Sequence, residues 1–268
     1  MIASLVGAMA FAADAQAMQT AQAARWALRA DPVLCVLERH DAGSRATLSI
    51  RTIPGSDAYL VAIAAPGIKR QASYVPASLI FAPSQKVLNG RADVLKLETG
   101  MRAVRMDGVA PDLLGDLSGA DTVTVAMRSG DSATVPVAGS AKAVEALRRC
   151  NADQLIEWGA DARQFAPGGT TPVALRHRDA WFSKSELLKV KGQSRQLDVD
   201  AVFRVAVSPD GMVAECHSSS DKTEKGVEKT VCGMVLGKPL FAPAKDAGGR
   251  AVRGVATFRI LLASRPTL

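Results

Sequence analysis

The sequence predicts a β-rich α+β fold in two domains, and three observations lead there. Between Val33 and Val137, short and partly β-branched runs are separated by Gly, Pro, Asp or Ser, the pattern of a mostly antiparallel β domain. From Gly159 to Ala174 the chain has no apolar period and carries several breakers, which marks a domain boundary. Beyond it, a strand, a Pro-Gly turn, a second strand, a helix and a last strand follow one another between Asp200 and Ala263.

The amino-terminal strands are expected at Val33 to Leu37, Ala46 to Arg51, Tyr59 to Ala64, Val94 to Leu97, Met101 to Met106, Thr122 to Met127 and Ala133 to Val137. The last two flank Ser129-Gly130-Asp131 and form the clearest hairpin. A helix from Ser140 to Trp158 closes the domain, with Ser140 as its cap and Gly159 as its stop. Val144, Leu147, Cys150, Leu155 and Trp158 recur every three to five residues, so one face can lie on the sheet and bring Cys150 to Cys35. The expected division is residues 18–159 for this domain, 160–174 for a linker and 175–268 for the second domain.

In Ala201 to Val207 the alternation sends Phe203, Val205 and Val207 one way and Arg204 the other. Pro209 presets the turn, and Gly211 supplies a positive φ. A strand from Met212 to Ser220 is followed by a helix over roughly Asp221 to Leu236, with Val227, Val231 and Val235 on one side and Ser219, Ser220 and Asp221 as capping candidates. In the last strand Val252, Gly254, Ala256, Phe258, Ile260 and Leu262 share a face, opposite Arg253, Thr257 and Arg259. One helix on a three-stranded antiparallel sheet satisfies the pattern. So small a sheet has an exposed edge, which can accept a partner's strand.

Residues 1–17 form a short apolar run ending in Ala15-Gln16-Ala17, a small-x-small cleavage pattern that predicts a signal peptide and export to the periplasm or beyond. A cut after Ala12 is an alternative, and the missing Lys or Arg before the run makes the signal atypical or puts the true start upstream of Met1. The run is too short to span a bilayer, so no transmembrane helix is expected. The even set Cys35, Cys150, Cys216 and Cys232 suits two disulfides in an oxidising compartment. Of three pairings, Cys35 with Cys150 and Cys216 with Cys232 keeps each bridge inside one domain. Because Asp14 is the sole charged residue among the first 17, the cleaved chain would carry 33 basic and 25 acidic residues, a net +8 that suits an anionic envelope surface. Aromatics make up 4% of the chain and the basic residues are scattered, so no nucleic-acid platform is expected.

The order of residues from Asp200 to Ala263, read as Ala201-Val-Phe-Arg-Val-Ala-Val207, Ser208-Pro209-Asp210-Gly211, the strand through His217, the helix holding Cys232, Pro239-Leu-Phe-Ala-Pro-Ala244 and Val252 to Leu262, resembles the carboxy-terminal domain of the TonB family of periplasmic energy transducers. The resemblance extends over about residues 175–263. It implies a binding module that captures an extended segment of an envelope protein on its last strand, along Arg253, Val255, Thr257 and Arg259. The alternative is that these four residues decorate a strand covered by the amino-terminal domain. The family's Pro-rich spacer has no counterpart among the 13 dispersed prolines, and Ser185-Glu186-Leu187-Leu188 follows Trp181-Phe182-Ser183 where the family often has Tyr-Pro. Energy transduction is therefore not implied. The β domain ending in a Leu-x-x-Cys helix, fed by Val135-Pro-Val-Ala-Gly139, is also similar to invasion-associated-locus-B-like periplasmic proteins.

Catalytic, metal and cofactor patterns are not expected. His40, His177 and His217 lie far apart, with no His-x-x-x-His or His-Glu pairing. His217 beside Cys216 points to the opposite face of a strand. Ser218-Ser219-Ser220 lacks the Gly-x-Ser-x-Gly elbow. A second reading, an envelope hydrolase with its site in the amino-terminal domain or an interdomain cleft, rests on the unassigned β domain and on the acidic group Asp198, Asp200, Asp210 and Glu215. A third is a structural protein held to anionic polymer by its charge.

Overall fold

The computed structural model describes residues 25–56, 58–70, 74–110, 112–220 and 222–262; the expected signal peptide lies outside them. The fold is β-rich α+β. Contacts divide the described residues into two compact units, one of residues 25–29, 36–51 and those described between 58 and 145, the other of residues 30–35, 52–56 and those described between 146 and 262.

The first unit is built on a nine-stranded sheet with strands β1 (Trp26–Asp31), β2 (Leu34–Asp41), β3 (Ala46–Thr52), β4 (Tyr59–Ala65), β5 (Val75–Ala82), β6 (Lys86–Lys96), β7 (Arg102–Val109), β8 (Thr122–Met127) and β9 (Ser132–Pro136). Their order is β1-β2-β3-β4-β7-β6-β5-β8-β9. Alternation in β8 buries Val123, Val125 and Met127, which join Ile50, Ile63, Leu79 and Phe81 in the core. Two strands, β1 and β5, and the first half of β6 are not expected from the sequence. In β6 the physical reason is plain: most of it is exposed and it carries Asn89, Gly90 and Arg91, so it shows no alternation. Helix α1 (Leu113–Ser118) buries Leu113, Leu114 and Leu117. Helix α2 (Ser140–Glu157) begins at a fully buried Ser140, whose hydroxyl donates to the Leu117 carbonyl. Ser140 thereby anchors the helix start to α1.

From Ala146 onward α2 belongs to the second unit. Its end is a Schellman motif: Gly159 takes φ +98°, its amide donates to the Ile156 carbonyl at 2.9 Å, and the Ala160 amide donates to Leu155 at 2.9 Å. The segment expected as a linker is tied into this unit. It holds a 3₁₀ turn (Ala162–Phe165), a two-way bridge between Thr170 and Lys245, and β10 (Val173–Ala174), which pairs with β13 (Phe241–Ala242). Its backbone polar groups find partners there, which is why a breaker-rich sequence need not be a free linker.

The centre of this unit is a three-stranded antiparallel sheet, ordered β12-β11-β16, from β11 (Val199–Val207), β12 (Val213–Ser218) and β16 (Gly254–Leu262). A small hairpin of β14 (Ala244–Lys245) and β15 (Ala251–Val252) precedes β16. Gly211 closes the β11–β12 turn at φ +83°, where a Cβ would stand 2.3 Å from the Phe241 carbonyl oxygen. Two helices, not one, accompany the sheet: α3 (Lys184–Gly192) and α4 (Lys225–Val235). Ser183 caps α3 in a capping box, accepting from the Glu186 amide while the Glu186 carboxylate accepts from the Ser183 amide at 2.7 Å. Helix α4 starts at Glu224 with no side-chain cap. Of the expected caps, the Ser219 amide donates to the Val202 carbonyl at 2.8 Å, Ser220 accepts from the Lys222 amide within its own turn, and Asp221 lies outside the described residues. The core joins Val227, Val231 and Val235 of α4 to Phe203, Val205, Phe258 and Trp181. Phe258 stacks on Phe203 at 5.3 Å, and Trp181 meets Phe258 and Phe241 edge-on at 5.4 and 5.2 Å. Among the described residues no helix is long and apolar enough to cross a membrane.

Candidate functional site

The last strand is an edge of its sheet, so its outer side is the place to look for a strand-binding site. Alternate residues of an antiparallel strand direct their N–H and C=O groups to opposite sides. The Thr257 amide donates away from β11, to the Gly55 carbonyl at 3.0 Å, and the Arg253 carbonyl accepts from the Asp161 amide at 2.9 Å. By that period Arg253, Val255, Thr257, Arg259 and Leu261 turn their main-chain groups to the edge.

The side chains of the four expected binding residues have different fates. Val255 is 1% exposed and packs with Leu155 and Ala160, with Trp158 and Phe165 against the cluster. Thr257 is also 1% exposed, and its hydroxyl donates to the Pro54 carbonyl at 3.0 Å. Arg253 donates to Glu215 at 2.8 Å, and Arg259 forks onto Asp200 with two bonds of 2.6 Å. Of the two readings left open, a binding edge or a strand covered by earlier parts of the chain, Val255 and Thr257 fit the second, because Leu155 and the Pro54–Gly55 turn pack over them, while Arg253 and Arg259 are surface arginines held by carboxylates. Further along, Leu261 is 53% exposed.

Gly55 is a residue that sequence reasoning misses. It sits at φ +77°, and a Cβ there would lie 3.0 Å from the Ala256 Cα and 3.1 Å from the Thr257 nitrogen. The Pro54-Gly55 pair signals a turn, but nothing local tells that the turn meets a strand 203 residues later in the chain. The other edge of the sheet is held differently. The Ser218 amide donates to Glu228 at 2.8 Å, and Cys216 is bonded to Cys232, both tying β12 to α4. The other pair is Cys35–Cys150, and no described cysteine is free.

The acidic group is divided: Asp198 and Asp200 line one recess, while Asp210 and Glu215 are bonded elsewhere. Asp200 lies near the start of β11 and Asp210 in the turn beyond its end, with about 23 Å of extended strand from Asp200 to Val207 between them. Asp210 accepts from Ser208, Glu215 from Arg253 and Asp200 from Arg259. A recess of about 30 Å³ lined in part by Asp198, Asp200, Lys222 and Glu224 has room for one or two water molecules. Among the described residues no group of three or more His, Cys, Asp or Glu side chains is placed to hold a metal ion.

Electrostatics beside the edge are set by arginines. The Arg253 guanidinium bonded to Glu215 lowers that carboxyl below its usual range, and Arg204 lies over the Trp158 ring at 5.1 Å. At the start of the 3₁₀ turn the Asp161 carboxylate accepts from the Arg163 side chain and amide, which together hold its pKa down to about 2 from an ordinary 3.8. A carboxyl depressed in the folded state adds stability above its unfolded pKa and loses it as pH falls through the folded value. The urea midpoint is therefore expected to drop on acidification through the window from about pH 4 to about pH 2, and Asp161→Asn to flatten that part of the profile. Parallel profiles for the two proteins would exclude Asp161 as a contributor.

No protein-family model and no curated protein sequence matches the chain.

Proposed function

We propose that the chain is a non-catalytic protein of the cell envelope, exported to the periplasm or beyond, whose TonB-like carboxy-terminal module binds an extended segment of another envelope protein. The segment adds to the outer edge of β16 by main-chain hydrogen bonds. The single observation behind this reading is that the β16 edge already takes a main-chain partner from its own chain, Gly55 at Thr257, with the Asp161 amide donating to Arg253 just before the strand. The strand then runs on to an exposed Leu261. Support also comes from the strand, turn, strand, helix and strand order of residues 199–262, and from the two disulfides, which suit an oxidising compartment. A family-like coupling to membrane energy is not part of the proposal.

Leu261→Pro is the test, because it deletes an edge-facing amide while leaving the β11 ladder intact. Envelope extract passed over immobilised disulfide-intact protein should yield a partner that the variant recovers at least tenfold less. Equal recovery of every partner by wild type and variant would end the strand-addition reading.

A further inference from the structure

We infer that the Ile53–Ser56 turn is a built-in occupant of the β16 edge, which an incoming strand must displace. The inference rests on the strand-binding reading above and adds a regulatory element to it. Thr257 spends both its amide and its hydroxyl on this turn, donating to the Gly55 and Pro54 carbonyls at 3.0 Å each. The amide is the same donor an added strand would use. Thr257 also lies at the middle of the edge-facing series from Arg253 to Leu261, about 13 Å short of Leu261 along an extended strand. A ligand strand that pairs with more than the last two edge positions must therefore pass through the place of Gly55.

The fit of the turn is close, and its hold on the strand runs through the two Thr257 bonds. Within the turn the Ser56 amide donates to the Ile53 carbonyl at 2.9 Å. Gly55 is within 3.1 Å of Leu155 and Thr257 at its Cβ position, so a side chain there pushes the turn off the strand. Because the turn is covalently tethered at both ends, it competes at an effective concentration on the order of millimolar, and weak free strands lose to it. Strands of higher affinity win, which makes the edge selective.

Hydrogen exchange on the full disulfide-intact chain tests this. The Thr257 amide should exchange faster than those of Ala256 and Phe258, which face β11, and Gly55→Val should speed it at least tenfold while changing those two less than threefold. Thr257→Val is the milder companion, removing only the hydroxyl bond, and should speed the amide of residue 257 by up to roughly tenfold. A synthetic peptide of residues 50–56, supplied at millimolar concentration, should protect that amide in Gly55→Val and not in wild type. If Thr257 exchanges in step with Phe258 in wild type and both variants, the turn is a fixed part of the core and the inference falls by itself. Equal protection of wild type and Gly55→Val by the peptide would likewise overturn it. If the amide is freed but the peptide protects neither protein, the edge takes no strand, and the strand-binding reading falls with it.

Discussion

Replacing Phe203 with alanine is expected to cost about 3–5 kcal/mol of the second unit's stability. The ring is fully buried, it stacks on Phe258, and Phe258 in turn contacts Trp181. Its removal therefore withdraws apolar area from the centre of the sheet and leaves a cavity that rigid strands on either side cannot close. Urea unfolding followed by near-ultraviolet circular dichroism, which senses the Trp181 environment, measures the loss. Leu188→Ala is the matched control, since Leu188 is 71% exposed on α3 and its truncation should stay within about 0.5 kcal/mol. Comparable losses for the two variants would mean that the aromatic cluster is not the energetic centre of the unit.

Removing the Cys35–Cys150 bond by a double alanine substitution is expected to cost more than removing Cys216–Cys232. The first closes a separation of 115 residues and the second one of 16. In the chain-entropy argument the unfolded-state restraint is worth about 4.7 kcal/mol for a loop near 100 residues and about 3 kcal/mol for one near 15. Urea midpoints of the two double variants, with wild type reduced and oxidised for reference, decide the order. A larger loss from the shorter loop would mean that packing around Cys216 and Cys232 outweighs loop entropy.

Where a strand buries one face against a helix, its alternation could be read directly: Phe203 and Val205 of β11, and Ala256, Phe258 and Ile260 of β16, fall on the α4 side. The valine spacing in α4 was legible for the same reason. The strand β6 was not, because exposure on most positions removes the contrast on which alternation depends. Helix α3 escaped as well, although Ser183 and Glu186 carry the spacing of a capping box, since Leu188 points to solvent and leaves no apolar stripe. At the candidate site the odd positions of β16 could be assigned to one face but not to an environment. Val255 and Thr257 read the same whether water, a partner or Leu155 and Pro54 lies over them. That choice is made by contacts across some 100 to 200 residues, which no local pattern encodes.

The second unit draws residues 30–35 and 52–56 from early in the chain, and this bears on how the protein can be made or divided. A fragment starting at residue 175, where sequence punctuation invites a cut, would lack Leu155, Ala160, Pro54 and Gly55. Its last strand would emerge with Val255 bare and the Thr257 donors unanswered, an adhesive edge of the kind that drives self-association. During synthesis the same dependence runs the other way: the Ile53–Ser56 turn and Cys35 wait for the final strand and for Cys150 before their places exist. Contacts so distant in sequence make for slow closure, so the nascent chain has a long interval in which the β16 edge is absent and its early partners stand exposed.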